Sequence, residues 1–133
     1  MIANLGRGDS SNALVQLIVV SCAVLYALTL IVDPNGIQMS GMFNFLSPGT
    51  RGTFLFGASG AIPVFQFGRW WTVLSASWLH GSLLHILFNM MWVRNLAPAV
   101  IEFYGVSRML VIYTISGVVG FLASSFAGNW FVF

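Results

Sequence analysis

The side chains able to do chemistry in this sequence gather in one stretch, His80-Gly81-Ser82-Leu83-Leu84-His85-Ile86-Leu87-Phe88-Asn89. His85 and Asn89 stand four apart, so on a helix they share one face. An imidazole and a carboxamide on one face can both donate hydrogen bonds to an oxygen that gains negative charge, as an oxyanion site requires. A low-dielectric surrounding strengthens such bonds. His80 is five residues before His85 and turns away from that face unless the helix begins around Ser82. The same spacing serves a plainer role too. His85 and Asn89 would then bond to neighbouring helices and hold a bundle together, with His80 structural or interfacial.

Other chemistries lack their residues. A zinc protease needs H-E-x-x-H, which the sequence does not contain. Glu102 is the only acid near the two histidines in sequence, and it falls at the far end of the segment, so no metal shell is expected. No cofactor is expected either, although a single membrane histidine can ligate a haem or a chlorophyll-like pigment, an alternative the residues leave open. Gly57-Ala58-Ser59-Gly60 spells G-x-S-G, but a nucleophilic serine needs a positioned base and an oxyanion site, and Pro63 argues against a membrane helix continuing from it. It reads as a glycine-permitted turn. Cys22, the one cysteine, excludes an internal disulfide and reads as a space-filling thiol.

The elements that must position these residues are set by composition. Of 133 residues, 58% are apolar and 6% charged, with five arginines, no lysine and three acids. A soluble domain carries about 25% charged residues. The mean hydropathy is +0.89. A soluble enzyme domain, a disordered tail and a nucleic-acid binder are excluded; the solvent is a lipid bilayer. The expected fold is all-α, a polytopic membrane helix bundle of one domain with three transmembrane helices. The first span, 13–32, is uncharged and reaches roughly 30 Å as a helix, too long for the core of a signal peptide. Asp33-Pro34-Asn35-Gly36 stops it in a type I turn. The second span, 70–93, opens on Arg69, Trp70 and Trp71 as an interfacial anchor and carries the histidines. Arg94, Asn95, Pro98 and Glu102 mark a short loop. The third span, 107–126, bears Ser116, Gly120 and Ser124 at spacing four, a small-residue stripe that lets another helix approach. Asn129 and Trp130 suit a return to the interface. Between the first two spans, residues 33–69 hold seven of the fourteen glycines and three of the four prolines, with Met39, Met42, Phe43, Phe45, Phe54 and Phe56. Such a segment is expected to lie ordered in the membrane interface, with short helices. Three spans put Arg7, Arg94 and Arg108 on one side and Arg51 and Arg69 on the other. That excess points to a cytoplasmic N-terminus in a bacterial-type inner membrane.

Gly68-Arg69-Trp70-Trp71, the H-x4-H-x3-N string of His80, His85 and Asn89, Glu102-x2-Gly105, Arg108, Tyr113 and Gly117 together resemble the amino-terminal half of a rhomboid family intramembrane serine protease. Ala97-Pro98 departs from the family's commoner Gly-Pro. The resemblance implies cleavage of membrane-spanning proteins by acyl transfer. It also implies that His85 and Asn89 support the oxyanion and that His80 lies near the mouth of the site. The family's nucleophile belongs to a G-x-S-G motif opening the fourth span, and its base to a histidine in the sixth. Gly57–Gly60 comes before the H-x4-H-x3-N string rather than after it. The nucleophile and base are therefore expected from beyond Phe133, and these 133 residues alone are expected to be inactive. The alternative expectation is a non-catalytic rhomboid-like subunit that binds partner membrane proteins in a larger complex, in part through the Ser116/Gly120/Ser124 face.

Overall fold

A computed structural model of the chain describes residues 2–130, with side chains described for residues 11–128. Arg7, Asn129 and Trp130, to which the sequence assigns places at the membrane surface, lie outside the described side chains. The described residues are all-helical apart from loops, with a single antiparallel bridge between Gln38 and Ser47. Three helices are long and apolar enough to cross a bilayer: Ser11–Val32 within the first helix, Leu83–Tyr104, and Val106–Gly128 within the last.

Helix α1 (Ile2–Val32) buries Leu14, Val15, Ile18, Cys22 and Tyr26. Their spacing of mostly four places them on one stripe. The thiol of Cys22 is fully buried and fills space beside Tyr113. Proline at 34 disfavours helical backbone at the residue before it, and Asp33 leaves the helix at φ −133°. The Gly36 N–H then donates to the Asp33 carbonyl at 3.2 Å, closing the turn.

Residues 33–69 are an ordered loop that carries α2 (Thr50–Leu55) and one π-helical turn, Ile62–Gln66. Three ties hold it to the bundle. The Tyr26 hydroxyl donates to the Leu46 carbonyl. Gly52 brings α2 so close to α1 that a Cβ there would sit 2.6 Å from the Thr29 carbonyl oxygen. The Arg69 guanidinium donates to the Phe54 carbonyl at 2.6 Å and covers the rings of Phe54 and Trp71 at 4.1 and 4.7 Å.

The second membrane helix differs from the segment expected over 70–93. Residues 72–78 form two short turns, α3 (Thr72–Ser75) and a 3₁₀ turn, Ala76–Trp78, after which Leu79 is extended. The long helix α4 (Leu83–Tyr104) starts only at Leu83, where the Ser82 hydroxyl accepts the His85 N–H at 3.2 Å. A serine in extended backbone that satisfies an orphan N–H is a strong helix start. At its other end α4 runs through Arg94, Asn95, Pro98 and Glu102, which are therefore helical rather than a loop. Proline removes one N–H and crowds the carbonyl four residues earlier, a cost that membrane helices tolerate when neighbours compensate. The neighbour here is α1: Ile86, Ala97 and Ile101 are buried in one core with its stripe. The break falls at Gly105, whose φ of +87° suits a residue without Cβ. Helix α5 (Val106–Trp130) follows at once.

The stripe of Ser116, Gly120 and Ser124 does not pack as a unit against the rest of the chain, although Ser116 borders a cavity between α5 and α4. All three are exposed, and a Cβ on Gly120 would meet nothing within 4 Å. The close approach of α5 is one residue along, at Gly117, where a Cβ would overlap the Ser77 hydroxyl.

Candidate functional site

The break before Ser82 decides where the histidines stand. His85 and Asn89 lie six residues or fewer from the start of α4, with Cα atoms about 6 Å apart along the axis. His80 precedes the helix, in the extended connection, and folds back so that its ring meets that of His85 edge to face at 5.4 Å. Spacing alone turns His80 away from His85 if the helix is continuous; the helix start at Ser82 brings the two rings together.

All three side chains line one cavity of about 340 Å³, walled by Ala76, Ser77 and Leu79, by Met90 and Val93 of α4, and by Tyr113, Ser116, Gly117 and Phe121 of α5. His85 is exposed into it, and Asn89 is half-buried. The Gly81 N–H donates to His85 Nδ1 at 3.4 Å. A neutral imidazole that accepts at Nδ1 carries its proton on Nε2, so His85 offers a donor on the side away from Gly81. The Asn89 carboxamide makes no hydrogen bond to another described residue. The site thus presents two hydrogen-bond donors from one helix face against mostly apolar walls.

His80 is 5% exposed. Burial first, then the facing His85 ring, push its imidazole down to about 4. His80 is therefore neutral at neutral pH. Among the described residues no group of three or more His, Cys, Asp or Glu side chains is placed to hold a metal.

On the wall contributed by α5, the sequence singles out Tyr113 and Gly117 only through the family resemblance, and Phe121 not at all. Tyr113, Gly117 and Phe121 recur at spacing four, the same spacing that puts His85 and Asn89 on one face. Tyr113 donates to the Ser77 carbonyl at 3.2 Å and packs edge-on against Trp78 at 5.7 Å, fixing α5 on the turn that carries the site's floor. Ser59, read as part of a turn, lines an adjoining cavity of about 270 Å³ together with Ala76, Leu79, His80, His85 and Phe121.

Comparison with known proteins identifies the same region. The family model of the rhomboid domain matches residues 67–131. The rhomboid-like protease 3 of Toxoplasma gondii is 32% identical over 83 residues, covering 62% of this chain and 31% of that protein. The rhomboid protease GlpG of Klebsiella pneumoniae (strain 342) is 40% identical over 70 residues, covering 52% of this chain and 25% of the relative. The putative rhomboid protease YdcA of Bacillus subtilis is 38% identical over 53 residues, or 40% of this chain and 27% of the relative. The matches span about a quarter to a third of the length of these relatives. No solved structure matches.

Proposed function

This chain belongs to the rhomboid family, and we propose that its residues supply the oxyanion-stabilising part of an intramembrane serine protease that cleaves membrane-spanning proteins. The observation that carries this reading is the shared cavity. His85 and Asn89 face it together, and Gly81 occupies His85 Nδ1, leaving the proton on Nε2. In acyl transfer a serine attacks the scissile carbonyl and a histidine takes its proton. The carbonyl oxygen becomes an alkoxide, and His85 Nε2–H and the Asn89 amide donate to it. Preorganised donors in a dry site stabilise that charge far more than water would. His80 stands at the mouth of the cavity and supports the His85 ring.

By the family pattern the nucleophile and base lie outside residues 1–133, so a polypeptide of these residues alone is inactive. The loop 33–69 lies in the interface and restricts entry from the lipid side, and the N-terminus is cytoplasmic in a bacterial-type inner membrane. The test has two arms. In the whole protein, His85→Ala and Asn89→Ala lower turnover of a membrane-spanning substrate. In a polypeptide ending at Phe133, a serine-directed fluorophosphonate labels nothing. Labelling at Ser59 in that polypeptide would overturn the assignment of the nucleophile.

A second reading is favoured by the exposure of Ser116, Gly120 and Ser124. The chain would be a non-catalytic subunit whose α5 face binds another membrane helix. Co-purification with a partner at fixed stoichiometry, lost on Gly120→Leu, supports that reading; a monomeric, fluorophosphonate-reactive whole protein rejects it.

A further inference from the structure

Three buried side-chain polar atoms have no hydrogen-bond partner among the described residues: the hydroxyls of Ser59 and Ser77, and Nδ1 of His80. Buried polar groups without partners are rare and each calls for an explanation. These three are not scattered. His80 lines both cavities, Ser77 one and Ser59 the other. The two cavities share Ala76, Leu79, His80, His85 and Phe121, so they adjoin across the pair of rings.

Other serines of the chain behave differently. Ser75 donates to the Gly57 carbonyl at 2.8 Å, Ser116 to Tyr113 at 3.1 Å and Ser125 to Phe121 at 2.8 Å. A serine hydroxyl near a backbone carbonyl normally takes it. Ser59 and Ser77 do not, and each sits beside a cavity that also borders His80. Ser59 is presented from a pinned turn. Gly57, at φ +94°, is packed so tightly on Trp71 and Ser75 that no side chain fits, and the Ala58 N–H donates to the Thr53 carbonyl at 2.9 Å. The cavities have room for several waters, which need polar partners of this kind.

We propose that Ser59 and Ser77 are positioning residues for His80: their hydroxyls, bridged by water in the adjoining cavities, hold the orientation and tautomer of its ring. The first loop is thereby tied through Ser59 to the ring that packs on His85. Ser59 then has a use without being a nucleophile. The inference stands on the three atoms and the two cavities, not on proteolysis, and its readout needs no substrate.

The test is nitrogen-15 NMR of the whole protein, histidine-labelled, in detergent micelles, with His80 identified as the imidazole lost in His80→Asn. Water cross-relaxation peaks at the His80 ring protons and one dominant tautomer are expected in the unaltered protein. Ser59→Ala and Ser77→Ala each shift the tautomer ratio at least twofold, and Ser59→Thr, which keeps the hydroxyl, restores it. Absence of water peaks in the unaltered protein overturns the proposal whether or not the variants fold. So does an unchanged tautomer ratio in folded alanine variants, or ring contacts to a side chain that fills the cavity. A protein with the expected spectra but no peptidase activity would leave this inference standing and remove the proposed function.

Discussion

At the scale of the residue, the proposed oxyanion role rests on which nitrogen of His85 can donate. Gly81 occupies Nδ1, so a donor that matters to an oxyanion is Nε2–H. Removing one such donor costs about 10²- to 10³-fold in rate in enzymes of this type. Under the proposed function, His85→Ala and Asn89→Ala each lower kcat of the whole protein by about that factor, with little change in KM, in a steady-state assay on a membrane-spanning substrate. His80 makes a different prediction. Its imidazole is held down to about 4 in the fold, against about 6.5 in an unfolded chain. Between those values the unfolded chain binds the extra proton, so stability is full above pH 6.5 and falls as the pH drops toward 4. Thermal unfolding in mild detergent should show Tm falling across that window, and His80→Asn should flatten the slope. The H-x4-H-x3-N spacing already placed His85 and Asn89 on one face. It left His80 ambiguous, because a side chain five residues away on a continuous helix and one folded back from a helix start have the same sequence.

At the scale of the element, two close approaches decide how the site is walled. Gly117 lets α5 settle on Ser77, whereas Gly120 meets nothing within 4 Å. Overpacking a tight contact costs about 1–3 kcal/mol. Gly117→Leu is therefore expected to lower unfolding stability in detergent by about that amount, and Gly120→Leu to leave it nearly unchanged. The reverse pattern would mean that α5 packs through its small-residue stripe after all. Arg69 is the corresponding element on the loop side. It combines a carbonyl bond with two ring faces, a combination that a lysine ammonium does not reproduce. Arg69→Ala should destabilise by about 2 kcal/mol, and Arg69→Lys should recover only part of it. Limited proteolysis within 50–57 provides the measurement. The ends of α4 were the least legible elements in the sequence. Its start is set by one serine hydroxyl, and its passage through Pro98 by the packing of Ala97 and Ile101 against α1, neither of which is a matter of local propensity.

At the scale of the whole molecule, three crossing helices put the Asp33–Gly36 turn and the start of α4 at one end and Gly105 at the other. The His85–Asn89 cavity opens near the first of these ends. In oriented membranes, Asn35→Cys and Ser107→Cys are expected to react with an impermeant maleimide from opposite sides; buried Cys22 should stay silent. Reaction of both from the same side would contradict three crossings. The exposed apolar side chains of all three long helices, among them Leu17, Val24, Leu87, Trp92, Ile115 and Val119, have lipid or another membrane helix as their neighbours.

Sequence by itself determined the solvent, the number of long apolar helices and the one-face relation of His85 to Asn89. Each follows from composition or from a helical period, and neither depends on what packs against the helix. Tertiary structure alone decided that α4 is shifted toward Tyr104, that Gly117 rather than Gly120 touches the chain, and that His80, Ser59 and Ser77 border the same pair of cavities. These depend on contacts between residues tens of positions apart. Such contacts are chosen by how well shapes and hydrogen bonds fit across a gap, and residue order does not record that fit.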